Sequence, residues 1–180
     1  MADPLHLSIG TTLQAAVYGT PLEALRFEHF KQRLLCDMLG RIVDDLHGRD
    51  TVKNAAWVLS YLENDLPLHV SDEAEDLVPL LLEHADTDGA VGEACDALVH
   101  EHESDEPLMA EVTAGLERLA GEWPLERPLD FIIRALMFEE KLRRHLAWEN
   151  ATLLPLARRF LGSADISSLR RRMASRHGLS

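Results

Sequence analysis

Apolar residues recur along this chain at alternating steps of three and four, the spacing that lines one face of an α-helix. Leu22, Leu25, His29, Gln32, Cys36, Leu39, Val43 and Leu46 form one such seam and predict a first helix from Pro21 to about His47. Its start is written in Thr20-Pro21-Leu22-Glu23: a hydroxyl at the cap, proline at the first helical position, and a glutamate placed for a capping box. Gly48 suits the turn that ends it. A second helix is predicted from about Val52 to Ala85, with Val58, Leu62, Leu66, His69, Glu73, Leu77 and Leu80 on one face. Pro67 and Pro79 each remove a backbone donor, so bends are expected there. Asp86-Thr87-Asp88-Gly89 closes it. A third helix spans about Ala90 to Ala120, with Cys95, Leu98, His102, Met109, Val112, Leu116 and Leu119 inward and Pro107 as an interruption.

After a connection at 121–128 that holds two prolines, a fourth helix runs from near Pro128 to Leu161, burying Phe131, Ala135, Phe138, Leu142, His145, Glu149, Thr152 and Leu156. Gly162-Ser163 breaks it and starts a short fifth helix, 164–176. No stretch carries the period of a strand. Four long helices with short connections predict an all-α, antiparallel up-down-up-down four-helix bundle over 21–161. An N-terminal arm, 1–20, precedes it, and 11–18 within the arm is compatible with a short helix. A basic C-terminal extra helix, 162–180, is expected to pack on the bundle. At 180 residues the chain suits one domain with a substantial core.

Net charge changes the picture in two ways. At −13 overall, the chain is a poor match for nucleic acid or an anionic membrane surface. From Arg158 onward, however, six arginines face one acid, Asp165, so the last helix is basic and the bundle strongly acidic. The two complement each other. No apolar run reaches membrane-spanning length, and MADPLHLSIG lacks the basic start of a secretory signal. Two cysteines, Cys36 and Cys95, make no disulfide framework, and a reducing cytoplasm is the expected location.

Nine histidines bring in the chemistry. Each long helix carries one near the middle of its apolar face: His29, His69, His102 and His145. His69 and His145 head the same pattern, H-x3-E-x5-P, with Glu73 and Pro79 in one copy and Glu149 and Pro155 in the other. Positions i and i+4 share a helix face, so each copy presents an imidazole and a carboxylate to one point. That donor mix suits a borderline transition metal such as iron. One H-x3-E alone is weak evidence; His102 to Glu106 is a third instance without the proline. Two buried glutamates in a bundle seam, though, would be costly without a cation or a partner. His6, His47, His84 and His177 lie at helix ends or tails and read as solvated.

These features resemble the hemerythrin-like, or HHE cation-binding, family over about 21–161. The likeness rests on Glu28-His29, His69…Glu73…Pro79, Glu101-His102 and His145…Glu149…Pro155, and on an ending similar to the family's, Asp165 to Gly178. The resemblance implies a non-haem di-iron centre of the oxo-bridged kind found in the family. His29, His69, His102 and His145 would be terminal ligands and Glu73 and Glu149 bridges. Two six-coordinate irons have about twelve positions, of which this set and an oxo bridge fill about ten. Room remains for a small diatomic or oxidant: O2, NO or peroxide.

One departure matters. Oxygen-carrying members use a fifth histidine, commonly from a pair on the third helix one turn apart. Here His100 and His102 are two residues apart and face nearly opposite ways. His102 is chosen for its place in the seam, and Glu106 is a possible further ligand. Sensing or handling a small oxidant or gas is therefore expected over simple oxygen storage, and no enzyme activity is assigned. An iron-handling or iron-centre repair protein is the alternative, although the cysteine-bearing N-terminal domain of repair members is not among these residues. A ferritin-like oxidase would need Glu-x-x-His pairs, and no histidine here has glutamate three residues before it.

Overall fold

A computed structural model describes residues 19–84 and 88–179, and all described regular structure is helical. Helix α1 is Pro21–Asp44. Helix α2 occupies 51–82 and α4 occupies 128–160, each with internal wide turns described below. Helix α3 is Gly89–Ala120 and α5 is Ser163–Arg176. The short arm segment expected at 11–18 and the residues 85–87 lie outside the described residues. Neighbours pack in the order α1 on α2, α2 on α3, α3 on α4 and α4 on α1. With connections this short, that ring is the antiparallel up-down-up-down bundle. Among the described residues, no helix is long and apolar enough to cross a membrane.

Helix starts and stops correct the sequence reading at several points. Thr20 does precede α1, but its side chain forms no cap bond; its carbonyl takes the Glu23 and Ala24 N–H groups instead. Glu23 is drawn away from the capping box by Arg158 of α4, at 2.9 Å, and by Arg26. The end of α1 comes at Asp44, three residues short of His47. Asp45 leaves the helix because it is used locally: its carboxylate accepts the His47 N–H at 3.1 Å and its carbonyl the Thr51 hydroxyl at 2.7 Å. Asp88 caps α3 by accepting the Ala90 N–H. After α3, the left-handed position (φ 58°) falls on Glu122 rather than Gly121, with the Trp123 N–H returning to the Arg118 carbonyl.

Three of the helical prolines follow a wide turn. The π-helical segments Tyr61–Asp65, Asp72–Leu77 and Glu149–Leu153 stand just before Pro67, Pro79 and Pro155. A proline lacks an N–H and its ring presses on the carbonyl one turn back; widening that turn relieves the clash. In each case the residue before the proline donates to the carbonyl five residues earlier: Leu66 to Tyr61, Val78 to Glu73, Leu154 to Glu149. The x5 of the repeated motif is thus the span of one such bond. At Pro67 and Pro79, where bends are expected from sequence, a wide turn stands just before each proline. Helix α3 carries Pro107 with no wide turn.

The apolar interior is in two parts. One cluster gathers Leu35, Leu39, Ile42, Val58, Leu62, Val112, Leu116, Phe131 and Phe138; the other gathers Leu25, Leu77, Leu81, Leu98, Leu153, Leu154, Leu169 and Met173. A layer of buried polar residues separates them: His29, Gln32, His69, Glu73, His145 and Glu149. Leu169 and Met173 fix α5 to the second cluster. Its cationic end completes the docking: Arg176 donates to the buried Asp72 at 2.6 Å, to the buried Asp76, and to Glu75 at 3.1 Å. His177, read from sequence as solvated, instead meets Asp72 at 2.8 Å.

Candidate metal centre

Each of the four bundle helices brings an imidazole to the polar layer, and α2 and α4 add a carboxylate one turn further on. Glu73 lies inside one wide turn and Glu149 opens another. His29, Glu73 and Glu149 are fully inaccessible, His69 and His145 are buried, and His102 is partly exposed. The histidines meet in two pairs. His29 and His69 have ring centroids 5.2 Å apart, and His102 and His145 are 5.1 Å apart. Between the pairs stand the two glutamates. Glu73 lies 3.5 Å from His69, 3.5 Å from His102 and 3.6 Å from His29; Glu149 lies 2.9 Å from His145 and 3.3 Å from His29.

Two overlapping foursomes result. His29, His69, Glu73 and Glu149 form one; Glu73, His102, His145 and Glu149 form the other, and within each the ligand atoms lie within 4.8 Å of one another. Both carboxylates are common to both sets. His100 and Glu106 belong to neither; both are exposed, which removes them from the core level where the sequence left them open. Glu28, beside His29 in sequence, turns away to Lys31, at 2.9 Å, and to the Tyr61 hydroxyl.

The donor set can be tested against a cation by asking what else satisfies it. Both ring nitrogens of His29 and His69, Nδ1 of His102, and all four carboxylate oxygens of Glu73 and Glu149 lack a hydrogen-bond partner. Short separations exist, but their directions do not make hydrogen bonds. Leaving so many buried polar atoms unmatched costs about 1–3 kcal/mol each, more for charges. Residues chosen for packing would not be arranged this way; the set fits a multivalent cation.

The electrostatics divide the donor set: burial would lower His29, but Glu73 and Glu149 raise it above the usual imidazole value. Burial alone would raise the Glu73 carboxyl, yet the surrounding imidazoles His69, His29 and His102 pull it below the usual range and hold it ionised. Glu149 goes the other way, to about 7, because burial and the Glu73 charge both oppose its ionisation. Burial drives His69 down to about 4, keeping its imidazole neutral and its lone pair available. Burial also lowers His102. His145 is pushed up to about 9, where Glu149 and Glu101 outweigh burial.

Glu101 was quoted from sequence only as the neighbour of His102. In the structure its carboxylate lies 2.6 Å from Nδ1 of His145, so the imidazole donates that N–H and turns Nε2 toward Glu149. Fixing a ring through its far nitrogen is how outer carboxylates orient metal-binding histidines. The contact joins α3 to α4, so no periodicity within one helix could have revealed it. Gln32, buried one turn beyond His29, was seen from sequence only as a seam position.

Comparison with known proteins bears on the same residues. Searches of curated proteins and of solved structures found no significant match. The family model described as "Hemerythrin HHE cation binding domain" matches residues 20–177, which takes in all four helices, both glutamates and the docked α5. A bundle with this layer of unmatched imidazoles and carboxylates, covered almost end to end by that model, belongs to the hemerythrin HHE cation-binding family.

Proposed function

We propose that the chain is a non-haem di-iron protein that binds, senses or reacts with a small oxidant or gas (O2, NO or peroxide). The single observation behind this reading is that two ligand foursomes share the same two buried carboxylates. A carboxylate with both oxygens unmatched can bridge two cations. In this assignment His29 and His69 would hold one iron and His102 and His145 the other, with Glu73 and Glu149 shared between the two sets. An iron pair so held would supply redox chemistry toward a diatomic or a peroxide.

The chain's own residues do the rest. With His69 and His102 kept neutral by burial, Glu73 ionised and His145 giving up its extra proton, these side chains would hold the cations; Glu101 orients His145, and the apolar clusters above and below limit water. Full burial of His29, Glu73 and Glu149 favours a resident metal over one handed on, which sets this reading ahead of iron delivery. The unpaired, buried Cys36 and Cys95 suit a reducing compartment.

Metal content per chain and the visible spectrum, taken on protein prepared without chelators, test the reading. About two irons with near-ultraviolet oxo-to-iron absorption, lost in Glu73→Ala and Glu149→Ala, are expected. Zinc alone, or no metal after anaerobic iron loading, would refute it.

A further inference from the structure

A cavity of about 420 Å³ runs from the surface to the imidazole layer. Its rim includes the exposed Pro67, Glu103 and Glu106, its walls are mostly apolar, and at its depth stand His69, His102 and His145. Among these walls is one buried polar side chain outside the candidate ligand set, Gln32, only 1% exposed, from α1. The amide nitrogen of Gln32 has no hydrogen-bond partner. A buried amide left unmatched costs about 1–3 kcal/mol, and an apolar residue of the same shape would avoid that cost. His29, three residues before it, places Gln32 on the same face of α1, one turn from the ligand layer.

We propose that Gln32 is the hydrogen-bond donor for the exogenous ligand: its N–H2 group meets the acceptor atom of a small molecule bound in this cavity against the metal centre. This rests on the di-iron reading above. It selects among ligand classes, because a molecule with an acceptor atom facing away from the metals, such as a peroxide or azide, gains a bond there. A ligand lacking a good acceptor gains nothing. The cavity walls offer such a molecule apolar contact, and Gln32 supplies the directional term.

Azide is the probe, titrated into iron-loaded wild type and Gln32→Met, with Gln32→Asn as a second variant that keeps the amide but withdraws it by one methylene. Methionine preserves volume and removes the donor. Azide affinity is expected to fall roughly ten- to hundredfold in both variants, the range for one hydrogen bond to a charged acceptor. Iron content should be unchanged, and the stability of metal-free Gln32→Met should equal or exceed wild type. Equal azide affinity in wild type and both variants would overturn the role of Gln32 while leaving the di-iron reading intact. Wild type that takes up no iron would remove that reading first, and this one with it.

Discussion

Replacing Arg176 by methionine should destabilise the bundle well beyond what a surface ion pair is worth. Arg176 is 18% exposed, and it faces Asp72 and Asp76, whose side chains are 0% and 4% exposed. Burial alone would lower the guanidinium pKa, yet Asp76 and Asp72 hold it above the usual arginine value. Removing one partner of a buried pair typically costs about 3–5 kcal/mol, because a charge is left buried and unmatched. Two features reduce that here: the guanidinium keeps some solvent contact, and Asp72 retains His177 at 2.8 Å. A loss of about 2–3 kcal/mol is therefore expected. For a chain of this size that is roughly a 5–10 °C fall in Tm. Urea unfolding of metal-free protein gives the free energy, and the same substitution in an Asp72→Asn, Asp76→Asn background isolates the coupling. In that background Arg176→Met should cost less than about 1 kcal/mol. A loss under about 0.5 kcal/mol in the wild-type background would show that the pair behaves as an exposed one and that the docking of α5 does not depend on it.

Three further outcomes follow from particular contacts. At Gly115 an added methyl would stand 2.2 Å from Cδ2 of the buried Phe131. Gly115→Ala should therefore lose about 1–2 kcal/mol despite a helix-propensity gain of about 1 kcal/mol, and adding Phe131→Leu should restore most of it in a thermal melt. Glu101→Gln, which weakens the bond to Nδ1 of His145, should reduce iron affinity roughly ten- to hundredfold with little change in the melting of metal-free protein; unchanged affinity would deny Glu101 an orienting role. Burial pushes the Cys36 thiol up to about 12 and the Cys95 thiol up to about 11. Both lie far above pH 8, so neither should react with a thiol reagent there until urea unfolds the chain. Fast labelling of native protein would contradict their buried placement.

The bundle was legible because its signal is local and repeated: apolar steps of three and four predict where each helix lies, and the level of the histidines within each seam predicts that they meet. The six residues singled out come together because each was chosen for lying in a seam. What was not legible depends on partners distant in sequence. Nothing near Glu23 says that Arg158 will take it from the capping box. Asp72 and Asp76 look like solvated acids until α5 covers them, and His177 looks like a tail residue for the same reason. Glu101 is one of many acids on α3 until α4 brings His145 alongside. At Pro67 and Pro79 the sequence predicts bends, since a missing N–H is visible in sequence and the wide turn that accommodates it is not.

Those wide turns have a bearing on how the chain length can vary. A π turn is an α-helix that has absorbed one additional residue without shifting the faces on either side of it. Elsewhere in a bundle helix, deleting one residue turns everything beyond it by about 100°, taking a buried face to solvent. A deletion within Asp72–Leu77 or Glu149–Leu153 would instead let the helix close into an uninterrupted α form with its flanking faces in phase. The core could survive such an edit; the carboxylate carried by that turn would be the part re-aimed or lost. Scaffold and donor set are therefore separable by a single codon at these two places, so a folded bundle stripped of one buried carboxylate is one deletion away.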